Sequence, residues 1–160
     1  MGNFNENNQS EIARFILDNL PRHELCALGT VDGSGNPWVV CVGLTFDKKM
    51  NVIWKSSVDA EHSKNILKNP NVAISVFSKT EGIGDFGLYM KGTAREVTNE
   101  TELREFLDIK YKRKEKEVPS PDSLLGDSKF RIYYAEVKEA WVAVYTIMTN
   151  TMIDAAETVS

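Results

Sequence analysis

Apolar and polar positions change their spacing repeatedly along this chain, and each change marks an element. From Ser10, the residues Ile12, Phe15, Ile16 and Leu20 fall on one helical stripe that Pro21 closes, which predicts a helix capped by Ser10. From Glu24 the spacing is that of strands. ELCALGTV and PWVVCVGLTF flank the turn-forming run Asp32-Gly33-Ser34-Gly35-Asn36, so they predict a hairpin with Cys26 and Cys41 close across it as small core residues. Asp47-Lys48-Lys49 turns the chain into a third strand, NVIWK. The polar joint Ser56-Ser57-Val58-Asp59 then leads into a short helix through Leu67, which Asn69-Pro70 ends.

Beyond that helix, Val72 to Ser78 and Leu88 to Val97 read as the fourth and fifth strands. A long helix from about Asn99 places Leu103, Phe106, Leu107 and Tyr111 on its buried stripe. Its acidic start and its basic end (Lys110, Lys112, Arg113, Lys114, Lys116) suit the helix dipole, so the basic cluster reads as a solvated helix end. Val118 to Ser128 is a loop, and FRIYYAEV and WVAVYTI are two further strands. Seven strands with three interposed helices, hairpins first, predict a mainly antiparallel α+β fold closed as a small barrel. This is one domain over residues 10–148. It lies between a polar, asparagine-rich tail over residues 1–9, read as disordered, and a C-terminal tail over residues 149–160 without visible period.

Composition narrows the class. The chain has 160 residues, 42% of them hydrophobic and 26% charged, as an ordinary globular domain does. Its net charge of −4 argues against general nucleic-acid binding, which needs a concentrated basic surface. No apolar stretch approaches the ~18 residues of a membrane span. The start, MGNFNENNQS, has neither the basic nor the apolar region of a secretory signal. Two cysteines are too few for a disulfide framework, so the expected compartment is the reducing cytoplasm.

Several motifs fail on their mechanism. Gly82-Ile83-Gly84-Asp85-Phe86-Gly87 matches the GxGxxG string, but the following LYMKGTAREV alternates like a strand, whereas a dinucleotide site needs a helix there. The string reads instead as a flexible loop between strands. His23 and His62 are the two histidines, without CxxC or HExxH spacing, so no metal site is expected. There is no GxSxG elbow for a serine nucleophile. One stretch carries usable chemistry. Lys55, Ser56 and Ser57 end a strand, and His62, Ser63 and Lys64 open the next helix. Hydroxyls, lysines and the free N–H groups of a helix start suit a phosphate monoester; the same residues equally suit a capped helix with solvated lysines.

The succession ALGTVDGSGNPWVVCVGLTFD, VIWKSS, HSKNILKNPNVAISVF and LYMKGTAREV resembles the pyridoxamine 5′-phosphate oxidase-like family of FMN-binding split barrels. The resemblance implies a split β-barrel of six to seven strands with three flanking helices. It also implies a homodimer with FMN in clefts at the subunit interface. It assigns the FMN phosphate to Lys55, Ser56, Ser57, His62, Ser63 and Lys64, and the flavin edge to the backbone of Val40, Cys41 and Val42. Trp141 is the aromatic residue that a partner subunit would bring to the cofactor.

The chain also departs from the vitamin-B6 oxidases, which flank the flavin segment of their second strand with basic residues. Here Val39 to Leu44 is apolar, apart from glycine, and no arginine follows Arg131 to grip a substrate phosphate. The resemblance therefore implies an FMN-dependent oxidoreductase acting on another small molecule, with no catalytic side chain named. Two alternatives stay open: a non-catalytic FMN carrier, sensor or electron-transfer protein, and a barrel that binds deazaflavin or haem instead.

Overall fold

The computed structural model describes residues 25–80, 84–112, 115–146 and 149–154. The helix expected over Ser10 to Leu20, the tail over residues 1–9 and His23 lie outside the described residues.

The first hairpin joins β1 (Leu25–Val31) to β2 (Pro37–Phe46). Its turn is held by the Asp32 carboxylate, which accepts the N–H groups of Ser34 and Asn36 at 2.7 and 2.9 Å. The register pairs Cys26 with Val42 and Ala27 with Cys41. Because successive side chains point to opposite faces, this one-residue offset buries Cys26 and leaves Cys41 exposed. The expectation that both cysteines are core residues is thus wrong for Cys41. Burial pushes the Cys26 thiol up to about 12.

Then come β3 (Val52–Ser57), α1 (Glu61–Lys68), β4 (Asn71–Thr80), β5 (Gly84–Glu96), α2 (Glu100–Lys112), β6 (Phe130–Thr146) and β7 (Thr149–Asp154). All pairings are antiparallel, in the order β3-β2-β1-β4-β5-β6-β7, and β3 also pairs with β6. That last pairing closes six strands into a barrel, and β7 extends the sheet from the far half of β6. The fold is therefore the expected split β-barrel of the α+β class.

Three details differ from the sequence reading. FRIYYAEV and WVAVYTI belong to one strand, β6, of 17 residues. It is long enough for one edge to meet β3 with its first half and β7 with its second. The seventh strand instead lies at Thr149–Asp154, where no period is visible. And β5 begins at Gly84, so Gly84 to Gly87 of the glycine string pair with β4 rather than loop.

Inward-facing residues of the strands form the main core, with Leu28, Leu44, Trp54, Val76, Leu88 and Val142 fully or almost fully buried. Trp54 stacks on Tyr133, with ring centroids 5.6 Å apart. The amphipathic α1 closes one end of the barrel. It inserts Ile66 into this core, and Asn65 donates to the Thr30 hydroxyl at 3.1 Å. Asn99 caps α2 by accepting the Glu102 N–H at 3.0 Å. Leu103, Phe106 and Leu107 pack α2 over Ile53 and Ile132, on the outer side of β3 and β6. A bulge at Lys91/Gly92 bends β5, and only glycine fits there, since a Cβ would lie 2.2 Å from the Glu136 carbonyl oxygen.

Candidate functional site

The pairing of β2 with β3 is short: Leu44 with Trp54, Thr45 with Ile53, and Phe46 with Val52. Past Leu44 the two strands part. β2 continues to Pro37 paired with β1, while Lys55, Ser56 and Ser57 of β3 continue paired with Ile132, Arg131 and Phe130 of β6. A seam therefore opens between Val40–Gly43 on one side and Lys55–Ser57 on the other, and the N-terminus of α1 lies at the end of β3 beside it.

Four features equip this seam to hold an anion. First, α1 starts at Ala60 with no side chain capping it, so its first N–H groups are not satisfied by a cap. Second, the Ser56 hydroxyl and His62 Nε2 share a hydrogen bond of 2.6 Å. Burial holds the His62 pKa below its ordinary value, so the ring is neutral at pH 7 and exchanges donor and acceptor roles with Ser56 without a charge change. An oxyanion that attracts the Ser56 proton leaves Nε2–H to donate to the Ser56 oxygen. Third, the Ser57 hydroxyl accepts the Asp59 N–H at 3.2 Å, which keeps its own O–H free to turn outward. Fourth, Lys55 and Lys64 are exposed here, and the Lys55 ammonium sits 4.8 Å from the Phe130 ring centroid. Asp59 and Glu61 are exposed on the same turn, so selection of an anion rests on directed N–H and O–H donors more than on net charge.

Two further elements complete the rim. Val58 N–H donates to the Lys129 carbonyl at 2.9 Å, bringing the backbone of the loop before β6 to the end of β3. Arg131 ties that loop down, donating to the Ser128 and Gly126 carbonyls and to Glu96. Sequence spacing had no means of placing this loop, 70 residues after β3, at the site.

Of the residues singled out from sequence, Lys55, Ser56, Ser57, His62, Ser63 and Lys64 are brought together at the end of β3 and the start of α1. Ser63 differs from the others: it is fully buried, and its hydroxyl points toward the Tyr133 phenol without a bond of ordinary geometry. Val40, Cys41 and Val42 line the β2 side of the seam, where Val42 faces the core and Cys41 faces outward. Trp141 is not with them. It lies on the outer face in the row Cys41, Ala27, Ser75, Tyr89, Trp141, four strands along the sheet from Cys41. Lys91 caps its ring at 5.1 Å.

Two residues at the seam were missed. Gly43 presents bare backbone there: a Cβ would meet nothing within 4 Å, so the chain's own packing does not require glycine. Lys110, read from sequence as part of a solvated helix end, is only 6% exposed and donates to the Gly43 carbonyl at 3.4 Å. The seam thus offers a cradle over Gly43, a strand edge from Val40 to Gly43 that β3 does not pair, and the donor set at α1. Those features fit a planar ring carrying a phosphate.

A cavity of about 640 Å³ lies toward the other end of β3, with Arg95, Glu102, Tyr134 and Glu136 in its wall. Two ion pairs stand at its wall, Arg95 with Glu102 and Glu136 with Lys138, and Lys49 also lines it. Among the described residues there is no group of His, Cys, Asp and Glu arranged to hold a metal ion, and no helix is long and apolar enough to cross a membrane.

Residues 12–142 match the model of the pyridoxamine 5′-phosphate oxidase family, so the chain belongs to that family. A search of curated proteins found no match. Among solved structures, the chain is similar to HutZ, the haem storage protein of Vibrio cholerae, at 22% identity and a TM-score of 0.62, over 84% of this chain and 92% of that one. It is similar to a haem-binding protein of Mycobacterium smegmatis at 16% identity and a TM-score of 0.65, over 95% of this chain and 60% of that one. An F420 reductase is similar at 18% identity and a TM-score of 0.55, over 77% of this chain and 93% of that one. At these identities the likenesses establish the fold.

Proposed function

We propose that this protein binds FMN at the seam between β2 and β3 and acts as an FMN-dependent oxidoreductase on a small molecule. The observation that carries the reading is the uncapped start of α1 beside the Ser56–His62 pair, at the end of β3 where its pairing with β2 has stopped short of Gly43. The N–H groups of α1, Ser56, Ser57, Lys55 and Lys64 hold the phosphate, and the edge of β2 from Val40 to Gly43 holds the ring. The cofactor supplies the electron chemistry. The protein supplies orientation and water exclusion, and no catalytic side chain is assigned. Titrating FMN into the purified protein by quenching of flavin fluorescence tests the reading, and turnover with reduced nicotinamide and a panel of acceptors separates enzyme from carrier.

Haem would need a ligand other than His62 Nε2: among the described residues His62 is the one histidine, 4% exposed, with Nε2 bound to Ser56. Deazaflavin would use the same seam, and the identity of the tightest ligand distinguishes it from FMN. Pyridoxamine 5′-phosphate is not expected to turn over, because no arginine follows Arg131 to clamp a second phosphate. Measurable oxidation of it by the FMN-loaded protein would contradict that expectation.

A second copy of the chain is the proposed partner. The outer face of β1 and β4 carries only Ala27, Gly29, Ala73 and Ser75 at its centre, flanked by exposed Leu25, Val39 and Phe77. A Cβ at Gly29 would make only ordinary contacts at 3.5 Å or more, so the chain itself does not demand this smallness. A flat apolar sheet face of this kind suits another sheet. A dimer across it would also carry the Trp141 of one copy toward the seam of the other. Light scattering of the wild type is expected to give a dimer, and Ala73→Arg, which puts a cation in the middle of the face, a monomer. A monomeric wild type with FMN bound would rule the interface out.

A further inference from the structure

The Ser56 hydroxyl and His62 Nε2 lie 2.6 Å apart, the separation of a serine nucleophile from its base. No elbow motif marks the pair in the sequence; the β3–α1 joint folds one residue back on the other. When His62 carries its proton on Nδ1, Nε2 accepts the Ser56 O–H. Burial keeps the ring neutral at pH 7 and so able to take a proton, and enclosure in the first turn of α1 holds it in place. Ser56 itself is half-buried, which leaves its hydroxyl open to a small molecule.

The same turn supplies donors for a developing negative charge. Ala60 N–H donates to the Ser57 carbonyl at 3.2 Å, and Lys64 N–H donates to the Ala60 carbonyl at 3.1 Å. Between them the N–H groups of Glu61, His62 and Ser63 meet no acceptor among the described residues, and no side chain caps the helix. An oxyanion formed beside Ser56 would meet these donors. Exposed charges of both signs stand around the pair: Lys55 on β3, Asp59 in the joint, Glu61 and Lys64 on α1, and Lys129 before β6. Arg131, across from Ser56 on β6, is committed to Glu96 and to the Ser128, Gly126 and Phe130 carbonyls. The Tyr133 phenol, which faces Ser63, stays protonated because burial raises its pKa. This mixture of charges suits a neutral substrate.

We propose that Ser56 is a nucleophile for acyl transfer with His62 as its base, and that the flavin-free protein hydrolyses small neutral carboxylic esters. Ser56 Oγ attacks the carbonyl carbon, its proton passes to His62 Nε2, and the carbonyl electron pair moves onto oxygen before the α1 N–H groups. Collapse breaks the bond to the alcohol, which leaves with the proton from Nε2. Water then attacks the acyl-serine by the same route, releasing the carboxylic acid and restoring the Ser56 hydroxyl. No oxidant or reductant takes part. A flavin phosphate would occupy the same donors, so the hydrolysis belongs to the chain without flavin.

The test uses the full chain, freed of any bound flavin, with p-nitrophenyl acetate, followed by release of p-nitrophenolate. A burst of about one equivalent per chain is expected, with the acetyl group located on Ser56 by peptide mass spectrometry. Ser56→Ala should remove the burst. His62→Gln keeps a donor for Ser56 Oγ but has no basic nitrogen, and should slow the burst roughly a hundredfold. Thermal melting checks that both variants fold. Inorganic phosphate, which takes the same N–H groups, should slow acetylation of the wild type, a readout that needs no variant. A burst that survives Ser56→Ala, acetyl found only on other side chains, or acetylation indifferent to saturating phosphate overturns the proposal. A protein that gives the burst but binds no FMN loses the flavin reading and keeps this one; a protein that binds FMN and gives no burst does the reverse.

Discussion

Gly43→Val is expected to abolish flavin binding and leave the fold intact or firmer. Glycine in a strand costs about 0.5–1 kcal/mol relative to alanine, and valine is among the best strand formers. At Gly43 an added Cβ meets nothing within 4 Å, so no packing is lost. The melting temperature should therefore stay level or rise by about 2–4 °C. By alternation with buried Val42 and Leu44 the same side chain stands on the outer face of β2, beside the proposed ring. There it should cost FMN and riboflavin alike at least roughly a hundredfold in affinity, about 2.7 kcal/mol. Stability and binding moving in opposite directions is the signature of a site kept open for a ligand. Unchanged flavin affinity in a folded Gly43→Val protein would move the ring off this strand.

Lys64→Ala is expected to weaken FMN roughly ten- to a hundredfold, as the loss of a hydrogen bond to a charged group worth ~1.5–3 kcal/mol. Lys64 is exposed on the first turns of α1, beside the uncapped N–H groups. Riboflavin has the same ring without the phosphate, so its affinity should scarcely change. That contrast separates phosphate recognition from damage to the fold, which would weaken both ligands. Lys68 ends the same helix and is exposed, and Lys68→Ala should affect neither ligand. Equal losses for FMN and riboflavin in Lys64→Ala, or none for either, would place the phosphate elsewhere.

Local signals in the chain were enough for most of the barrel. Alternating apolar positions and the Asp32–Asn36 turn mark the first hairpin, and Leu103, Phe106 and Leu107 mark the buried stripe of α2. The cluster from Lys55 to Lys64 was legible because a strand end and a helix start are adjacent in sequence, and the β3–α1 joint keeps them adjacent in space. What was not legible depends on register and closure. Cys41 faces outward because of a one-residue offset across the hairpin, which counting from the turn does not resolve. The two stretches of β6 are one strand because it serves β3 and β7 in succession, and β7 escaped notice because pairing with β6, not a period of its own, makes it a strand. Lys110 looked like a solvated helix end because its target, the Gly43 carbonyl, is 67 residues away. Gly43 gave no signal at all, since its meaning lies in the space beside it.

The visible spectrum of the protein after incubation with FMN and removal of free ligand tests the flavin site most directly. Two flavin absorption bands, at about one equivalent per chain and shifted from those of free FMN, are the expected result. A colourless protein, or one that refuses FMN but takes up haem and shows a Soret band, would contradict it.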